Sequence, residues 1–371
     1  MDIMKSNRTS KPTVSYPQEA LLLMNCTEKK HILLITTGGT IASMPGGEGL
    51  EPHRSDVMER ELNQLRTYYR ISVQDLMCLD SSNIQPEEWV IISRAIFEAR
   101  DSYDGIVVSH GTDTMAYTAA ALSYLIQGSP KPIVLTGSQQ PMANPFTDAK
   151  LNLYQSLLYA TDDDSHDVSI VFGGSVIVGT RAHKQRTMSF NAFTSVNYPL
   201  PAIIRNDRIV REGREGMTIP GAMDGGSAQQ AGRPRVYERL DEHVVVVRLT
   251  PGLGPGILDA LGPDYDAVIL ETFGIGGIPE CKGAHFEQAI FDWIDCGKTI
   301  VLTTQVSEEG LDLGVYEVGS AYANEPAILR GDDMTTEALV AKTMWALGQT
   351  REPAEVAKLF YRPVNHDRAV R

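Results

Sequence analysis

Short, unbroken apolar runs, each stopped by a glycine- or hydroxyl-rich turn and followed by a stretch of helical period, recur along the first half of the chain. Runs of this kind read as strands buried on both faces of a parallel sheet. His31 to Thr36 is the first and ends in Thr37-Gly38-Gly39-Thr40; Gly105 to Ser109 ends in His110-Gly111-Thr112-Asp113. Ile133 to Thr136 leads into Gly137-Ser138-Gln139-Gln140-Pro141, and Val168 to Phe172 into Gly173-Gly174. Helical segments lie between them. Pro86 to Arg100 opens with a proline suited to a first turn and carries Trp89, Ile92 and Ile96 at helical spacing; Leu151 to Ala160 is a second.

From about Arg205 to Glu242 the pattern breaks into Gly, Arg, Asp and Gln, which predicts an interdomain connector. A second unit follows: strands His243 to Leu249, Ala267 to Glu271 and Thr299 to Thr303, with a helix from Ala284 to Asp295. Helices Thr336 to Leu347 and Pro353 to Tyr361 close it, and the tail after Arg362 is expected to fray. The alternation predicts an α/β protein of two α/β domains. The larger, N-terminal one has a doubly wound, mostly parallel sheet, and a smaller α/β domain is C-terminal. The expected division is a disordered extension over 1–29, the N-terminal domain over 30–212, a connector over 213–241 and the C-terminal domain over 242–371.

Length and composition agree with this reading. A chain of 371 residues is comfortable for two domains, and 42% hydrophobic with 22% charged residues is ordinary for a globular protein. The formal net charge of −14 gives no chain-wide attraction to phosphate backbones, which argues against a nucleic-acid partner. Cys26, Cys78, Cys281 and Cys296 are spaced too widely for a metal knuckle or a redox pair and read as free thiols of a reducing compartment. The apolar run Ala20 to Met24 is too short for a signal peptide, and no stretch approaches a membrane span, so a cytoplasmic location and no membrane partner are expected. Residues 1–23 are expected to be disordered or to precede the native start, Met24 lying just before the first strand.

In open parallel sheets, ligands bind at the carboxyl ends of the strands. Thr40, Thr112 with Asp113, and Ser138 stand at such ends beside glycines that let the backbone approach a bound group. Backbone N–H groups there suit an oxyanion formed in acyl transfer. Each turn has a plainer reading. Thr37-Gly38-Gly39-Thr40 also suits a helix cap or a phosphate-cradling loop, and Thr112-Asp113 an N-cap pair. The phosphate loop is the weaker of these, because neither Gly-x-x-x-x-Gly-Lys nor Gly-x-Gly-x-x-Gly follows the first strand. Several such turns on one sheet shift the balance toward catalysis.

Two of the turns resemble known signatures. Ile35-Thr36-Thr37-Gly38-Gly39-Thr40-Ile41-Ala42-Ser43 and His110-Gly111-Thr112-Asp113-Thr114-Met115 are similar to the two signature blocks of bacterial-type L-asparaginases. The resemblance runs on through Asp80-Ser81-Ser82, Thr136-Gly137-Ser138, Gly179 to Lys184, Arg186 to Ser189 and Gly274 to Pro279, from residue 30 to about 360. The lack of an export signal looks like the cytoplasmic type I group. The resemblance implies hydrolysis of L-asparagine to L-aspartate and ammonia, with no metal or organic cofactor.

By similarity, Thr40 takes the place of the nucleophile, and Thr112, Asp113 and Lys184 match the second catalytic set. Gly39, Asp80, Ser81, Ser82, Thr112, Asp113 and Ser138 match the substrate-binding positions, Ser81 holding the substrate carboxylate and Ser138 lying where the amide is bound. A threonine hydroxyl is a weak nucleophile and needs a base. Lysines ordinarily titrate near about 10.4 and are poor bases at neutral pH unless burial or neighbours intervene. Asp113 pairs with either Lys184 or the substrate's α-ammonium, so Lys184 is expected to act chiefly as a proton shuttle. His110 and His183 flank these blocks and are expected to be structural.

One departure stands out. Members of this family often carry a tyrosine on the loop after the first threonine, whereas Ser43 to Pro52 contains none and Leu50 falls near its place. Tyr316-Glu317 from a neighbouring subunit is one candidate substitute. The resemblance also implies a homodimer or homotetramer with the site completed across an interface. Three rival readings go with it: a mixed asparaginase/glutaminase, the ammonia-supplying subunit of a tRNA-dependent amidotransferase, and a catalytically silent binding protein, against which the intact threonine–aspartate–lysine set argues. The second of these carries an extra N-terminal domain, for which the roughly 30 residues before the first strand are too few.

Overall fold

The computed structural model describes residues 29–46, 49–52, 56–211, 234–281, 284–313, 322 and 325–369. Five parallel strands form the heart of the first sheet. They are β1 (His31–Gly38), β2 (Arg70–Leu79), β3 (Gly105–Ser109), β4 (Ile133–Thr136) and β5 (Val168–Phe172). Antiparallel β6 (Ser175–Val178), β9 (Ala202–Arg205) and β10 (Arg208–Val210) extend one edge, giving the order β10-β9-β6-β5-β4-β3-β1-β2. Between β6 and β9 the chain makes a separate two-stranded ribbon, β7 (Ala182–Lys184) against β8 (Phe193–Ser195).

Every residue of β3, β4 and β5 is buried, as continuous apolar strands covered on both faces require. Helices α1 (Asp56–Leu65) and α4 (Ala149–Ala160) cover one face, where Leu62, Leu153 and Leu157 pack on Leu34, Val107 and Val134. On the other face α2 (Pro86–Ala99) and α3 (Met115–Leu125) pack on Leu33, Ile35, Val108 and Leu135. The first sheet is thus doubly wound, with an antiparallel edge that apolar runs alone did not predict.

A second, fully parallel sheet runs β11 (Val244–Arg248), β12 (Ala267–Thr272), β13 (Thr299–Thr304), β14 (Ile328–Arg330). Helices α5 (Gly256–Leu261) and α6 (Phe286–Asp295) flank it on one side, α7 (Thr336–Gln349) and α8 (Pro353–Tyr361) on the other. The two sheets share one hydrophobic core, because α3 packs against α7. Alone among the first sheet's helices, α3 is apolar nearly all round, since it is wedged between that sheet and α7.

Among the described residues, the tail after Arg362 is packed through Arg368 instead of fraying. Asp367 and Arg368 are buried, and Asp367 pairs with Lys342 of α7, itself fully buried. Tyr124 Oη donates to Asp367 Oδ2 (3.0 Å), and Lys342 Nζ donates to the Arg362 carbonyl (2.8 Å). Buried charges persist when paired and hydrogen-bonded, and this polar sequence finds its partners only in the folded chain. Of the expected extension, residues 1–28 lie outside the described residues, as do 213–233 of the expected connector and residue 212 before it.

Candidate active site

Four strand-end turns of the first sheet converge. Gly38 and Gly39, with φ of 104° and 80°, carry the chain out of β1 in a conformation that side chains with a Cβ rarely adopt. The Gly39 N–H donates to the Leu79 carbonyl at the end of β2 (3.1 Å), and Thr37 Oγ1 donates to the Ser109 carbonyl at the end of β3 (3.0 Å). Gly39 lies directly against Gly111: a Cβ on Gly39 would stand 2.4 Å from the Gly111 nitrogen. A Cβ on Gly111 would in turn stand 2.6 Å from Ser81 Oγ. One residue beyond each glycine is a threonine, Thr40 opening a short 3-10 turn and Thr112 preceding α3.

Around Thr112 the polar contacts are closed. Lys184, from β7, donates to Thr112 Oγ1 (2.8 Å) and to Asp113 Oδ1 (2.6 Å). The Thr112 hydroxyl donates to Gln139 Oε1 (3.2 Å), and Gln139 Nε2 donates to the Ser189 carbonyl (3.2 Å). Thr112 is buried and the Lys184 side chain only 15% exposed, whereas that of Asp113 is 66% exposed, so this carboxylate remains open to a ligand. Lys184 is the donor in both of its contacts. For Lys184 to accept a proton, the Thr112 hydroxyl must turn from Gln139 toward it.

Ser81 ties this cluster to the β2 turn. Its Oγ accepts from the Asp113 N–H (3.3 Å), and its carbonyl accepts from Thr114 Oγ1 (2.7 Å). Asp80 and Ser82 are engaged with each other: the Ser82 hydroxyl and N–H both donate to Asp80 Oδ1 (2.6 and 2.8 Å) and hold its carboxyl below the usual range. Ser138, also buried, uses its hydroxyl within its own turn, donating to the Gln140 carbonyl (2.6 Å).

Thus Thr112, Asp113, Lys184 and Ser81 are joined by direct hydrogen bonds, and Gly39 and Thr40 are brought to them by the glycine contact. Asp80, Ser82 and Ser138 stand at the same turns, with Asp80 Oδ1 and the Ser82 and Ser138 hydroxyls engaged locally. Gln139 is not among the residues expected from the sequence, where its one signal is a polar residue right after Thr136-Gly137-Ser138. Leu50's side chain and Tyr316-Glu317 lie outside the described residues.

The two flanking histidines have defined partners. His110 is fully buried, with Nδ1 2.7 Å from the Gly111 carbonyl and Nε2 2.9 Å from Thr118 Oγ1, which also accepts from Trp89 Nε1 (3.0 Å). Burial pulls its pKa down to about 4, so it is neutral and holds the Gly111 peptide by donating from Nδ1. His183 lies 2.8 Å from Glu337, whose carboxylate raises its pKa.

Among the described residues, one His/Asp group is tight enough to hold a metal ion: Asp241, His243 and Asp266. Arg351 already pairs with both of its carboxylates. No helix among the described residues is long and apolar enough to cross a membrane.

This is a doubly wound α/β fold of the hydrolase kind, with hydroxyl and carboxylate at the ends of parallel strands and an amine reaching them from the antiparallel ribbon. The chain matches "Asparaginase, N-terminal" over residues 31–214 and "Glutaminase/Asparaginase C-terminal domain" over 243–360, and it belongs to the asparaginase family. It is 39% identical to the L-asparaginase of Thermococcus kodakarensis over 335 residues, 90% of this chain and 97% of the relative. A solved structure of the thermostable L-asparaginase from that organism superposes with a TM-score of 0.81 at 38% identity, covering 91% of this chain and 98% of that one. L-asparaginase 1 of Escherichia coli K12 is 31% identical over 89% of this chain and 96% of its own length. A Glutamyl-tRNA(Gln) amidotransferase component of Aeropyrum pernix is 32% identical over 90% of this chain and 78% of its own.

Proposed function

We propose that this chain hydrolyses the side-chain amide of L-asparagine to L-aspartate and ammonia. The observation that carries the reading is the direct contact of Lys184 Nζ with both Thr112 Oγ1 and Asp113 Oδ1. In this reading Thr40 Oγ1 attacks the amide carbon, and backbone N–H groups at the glycine turns stabilise the tetrahedral oxyanion. A proton passes to the leaving nitrogen through Thr112 and Lys184. Ammonia departs and leaves a β-aspartyl ester on Thr40. Water attacks that ester, releasing aspartate and restoring the hydroxyl.

Asp113, exposed beside the lysine, pairs with the substrate α-ammonium, and Ser81 faces the α-carboxylate. The reaction so written uses no metal and no organic cofactor. The similarity to L-asparaginases supports it, and the second family description keeps glutamine as an alternative substrate. One methylene in a pocket changes binding by only about 1–3 kcal/mol. Comparing kcat/KM for the two amides is the test: a glutamine value equal to that for asparagine overturns the asparaginase reading.

The same reading takes the functional unit as a homodimer or homotetramer in the cytoplasm. Met188, 84% exposed, lies on the loop joining β7 to β8, which Gln139 contacts at the Ser189 carbonyl, and Phe146, 82% exposed, lies on the loop that follows Gln140; a second copy is the partner that would cover them. Sedimentation as a monomer at assay concentration would remove that part.

A further inference from the structure

Lys184 sits on a strand with little sheet of its own. β7 is three residues long and pairs with the equally short β8. Such a ribbon gains little stability from its ladder, so its position has to be fixed from outside. Beside its packing on α3, contacts that fix it come from the C-terminal half. Thr180 Oγ1 donates to the Asn365 carbonyl (2.6 Å), and the Thr180 carbonyl accepts from Thr335 Oγ1 (3.2 Å). Arg181, buried, donates to the His366 and Asp333 carbonyls (2.6 and 2.9 Å).

Consecutive residues of a strand point to opposite faces. Accordingly Lys184 faces Thr112 and Asp113, and His183 faces the first turn of α7, where Nδ1 lies 2.8 Å from Glu337 Oε1. Glu337 is 5% exposed, and its second oxygen, Oε2, is buried without a hydrogen-bond partner. A buried carboxylate so poorly served depends strongly on the partner it has. The other charged groups near this position do not replace that partner: Glu271 carries the same sign and is occupied by Arg248 (2.7 Å) and by Thr336 Oγ1 (2.7 Å).

We infer that His183 is a positioning residue: with Glu337 it anchors the far face of β7 to α7, and so holds the Lys184 amine at Thr112 and Asp113. The C-terminal half thereby sets the geometry of a catalytic group carried by the N-terminal half. The inference rests on the proposed role of Lys184. A displacement of that amine by about 1 Å is enough to cost roughly 100-fold in rate.

The test is steady-state ammonia release from L-asparagine by purified full-length protein, with kcat and KM separated and thermal midpoints measured alongside. His183→Ala is expected to lower kcat at least about tenfold while KM stays within about twofold, since β7 loses its anchor but the ligand contacts of Ser81 and Asp113 remain. His183→Gln, whose amide still donates to Glu337, is expected to recover kcat to within about threefold of the parent. Glu337→Asp keeps the charge at the helix N-terminus, withdraws it from His183, and is expected to match His183→Ala; it also serves if the alanine variant does not fold. Full kcat in both His183→Ala and Glu337→Asp overturns the inference, as does a loss in His183→Ala that appears in KM alone. Lys184→Met run in parallel separates the two levels. If it keeps its activity, the proposed site reading fails; if it is inactive while both anchor variants turn over normally, the anchor alone fails.

Discussion

Gly39 and Gly111 touch, backbone to backbone, at the point where the β1 and β3 turns meet. The contact leaves no room for a methyl group, and Gly39 also needs its positive φ. It brings Thr40 and Thr112, each one residue further along, to a common neighbourhood. Gly39→Ala is therefore expected to displace Thr40 from Thr112. The backbone conformation alone costs a residue with a Cβ about 1–2 kcal/mol, and the displacement is expected to lower kcat/KM by roughly 100-fold or more. Kinetics on protein shown to be folded by circular dichroism check this; an alanine variant with parental kcat/KM contradicts the packing account.

The roles proposed for the two threonines can be separated by experiment. Quenching the enzyme during turnover and mapping the covalent adduct by mass spectrometry is expected to find the aspartyl group on Thr40. Thr40→Ala is expected to show none. An adduct on Thr112 in that variant would transfer the nucleophile role to it.

His110 makes stability depend on pH. In the unfolded chain a histidine titrates near about 6.5, whereas burial holds His110 down to about 4 in the fold. Between these values the unfolded chain binds a proton that the folded one does not. The stabilisation is complete above about 6.5 and is lost as pH falls toward 4, by at most about 1.4 kcal/mol per pH unit. Urea unfolding across that range reads the slope, which His110→Asn is expected to flatten. An unchanged slope in the variant would assign it to other groups.

The C-terminal strap is a stability element. Asp367→Ala leaves Lys342 fully buried without its carboxylate, and such a loss typically costs about 3–5 kcal/mol. Chemical denaturation measures it; a loss below about 1 kcal/mol would show that the pair is dispensable.

How much of this was legible in the sequence depended on where the determining contacts lie. β1, β3, β4 and β5 were readable because strands buried on both faces need unbroken apolar runs, and Thr40, Thr112 and Asp113 because the turns ending those runs are local. Met115 to Leu125 carries no polar stripe, since α7 covers the side that would otherwise meet water, so amphipathic periodicity had nothing to find there. The antiparallel strands from Ser175 to Val210 are short and lack long apolar runs. Val364 to Arg368 reads as polar tail because the partners that bury it, Lys342 and Tyr124, are far away in sequence. Lys184 was reached through family resemblance alone. Nothing local distinguishes it from a surface lysine, and the contacts that define it come from β3's turn, 72 and 71 residues away.

In the proposed reaction the amine–hydroxyl–carboxylate contact of Lys184, Thr112 and Asp113 carries amide hydrolysis. Ammonia release from L-asparagine by the parent, Thr112→Ala and Lys184→Met proteins tests it most directly. Clear turnover by the parent is expected, with a loss of about 10²–10⁴-fold in each variant, the usual contribution of a positioned proton-transfer group, and folding unchanged. A parent protein inactive on asparagine, or variants that retain most of its activity, would contradict it.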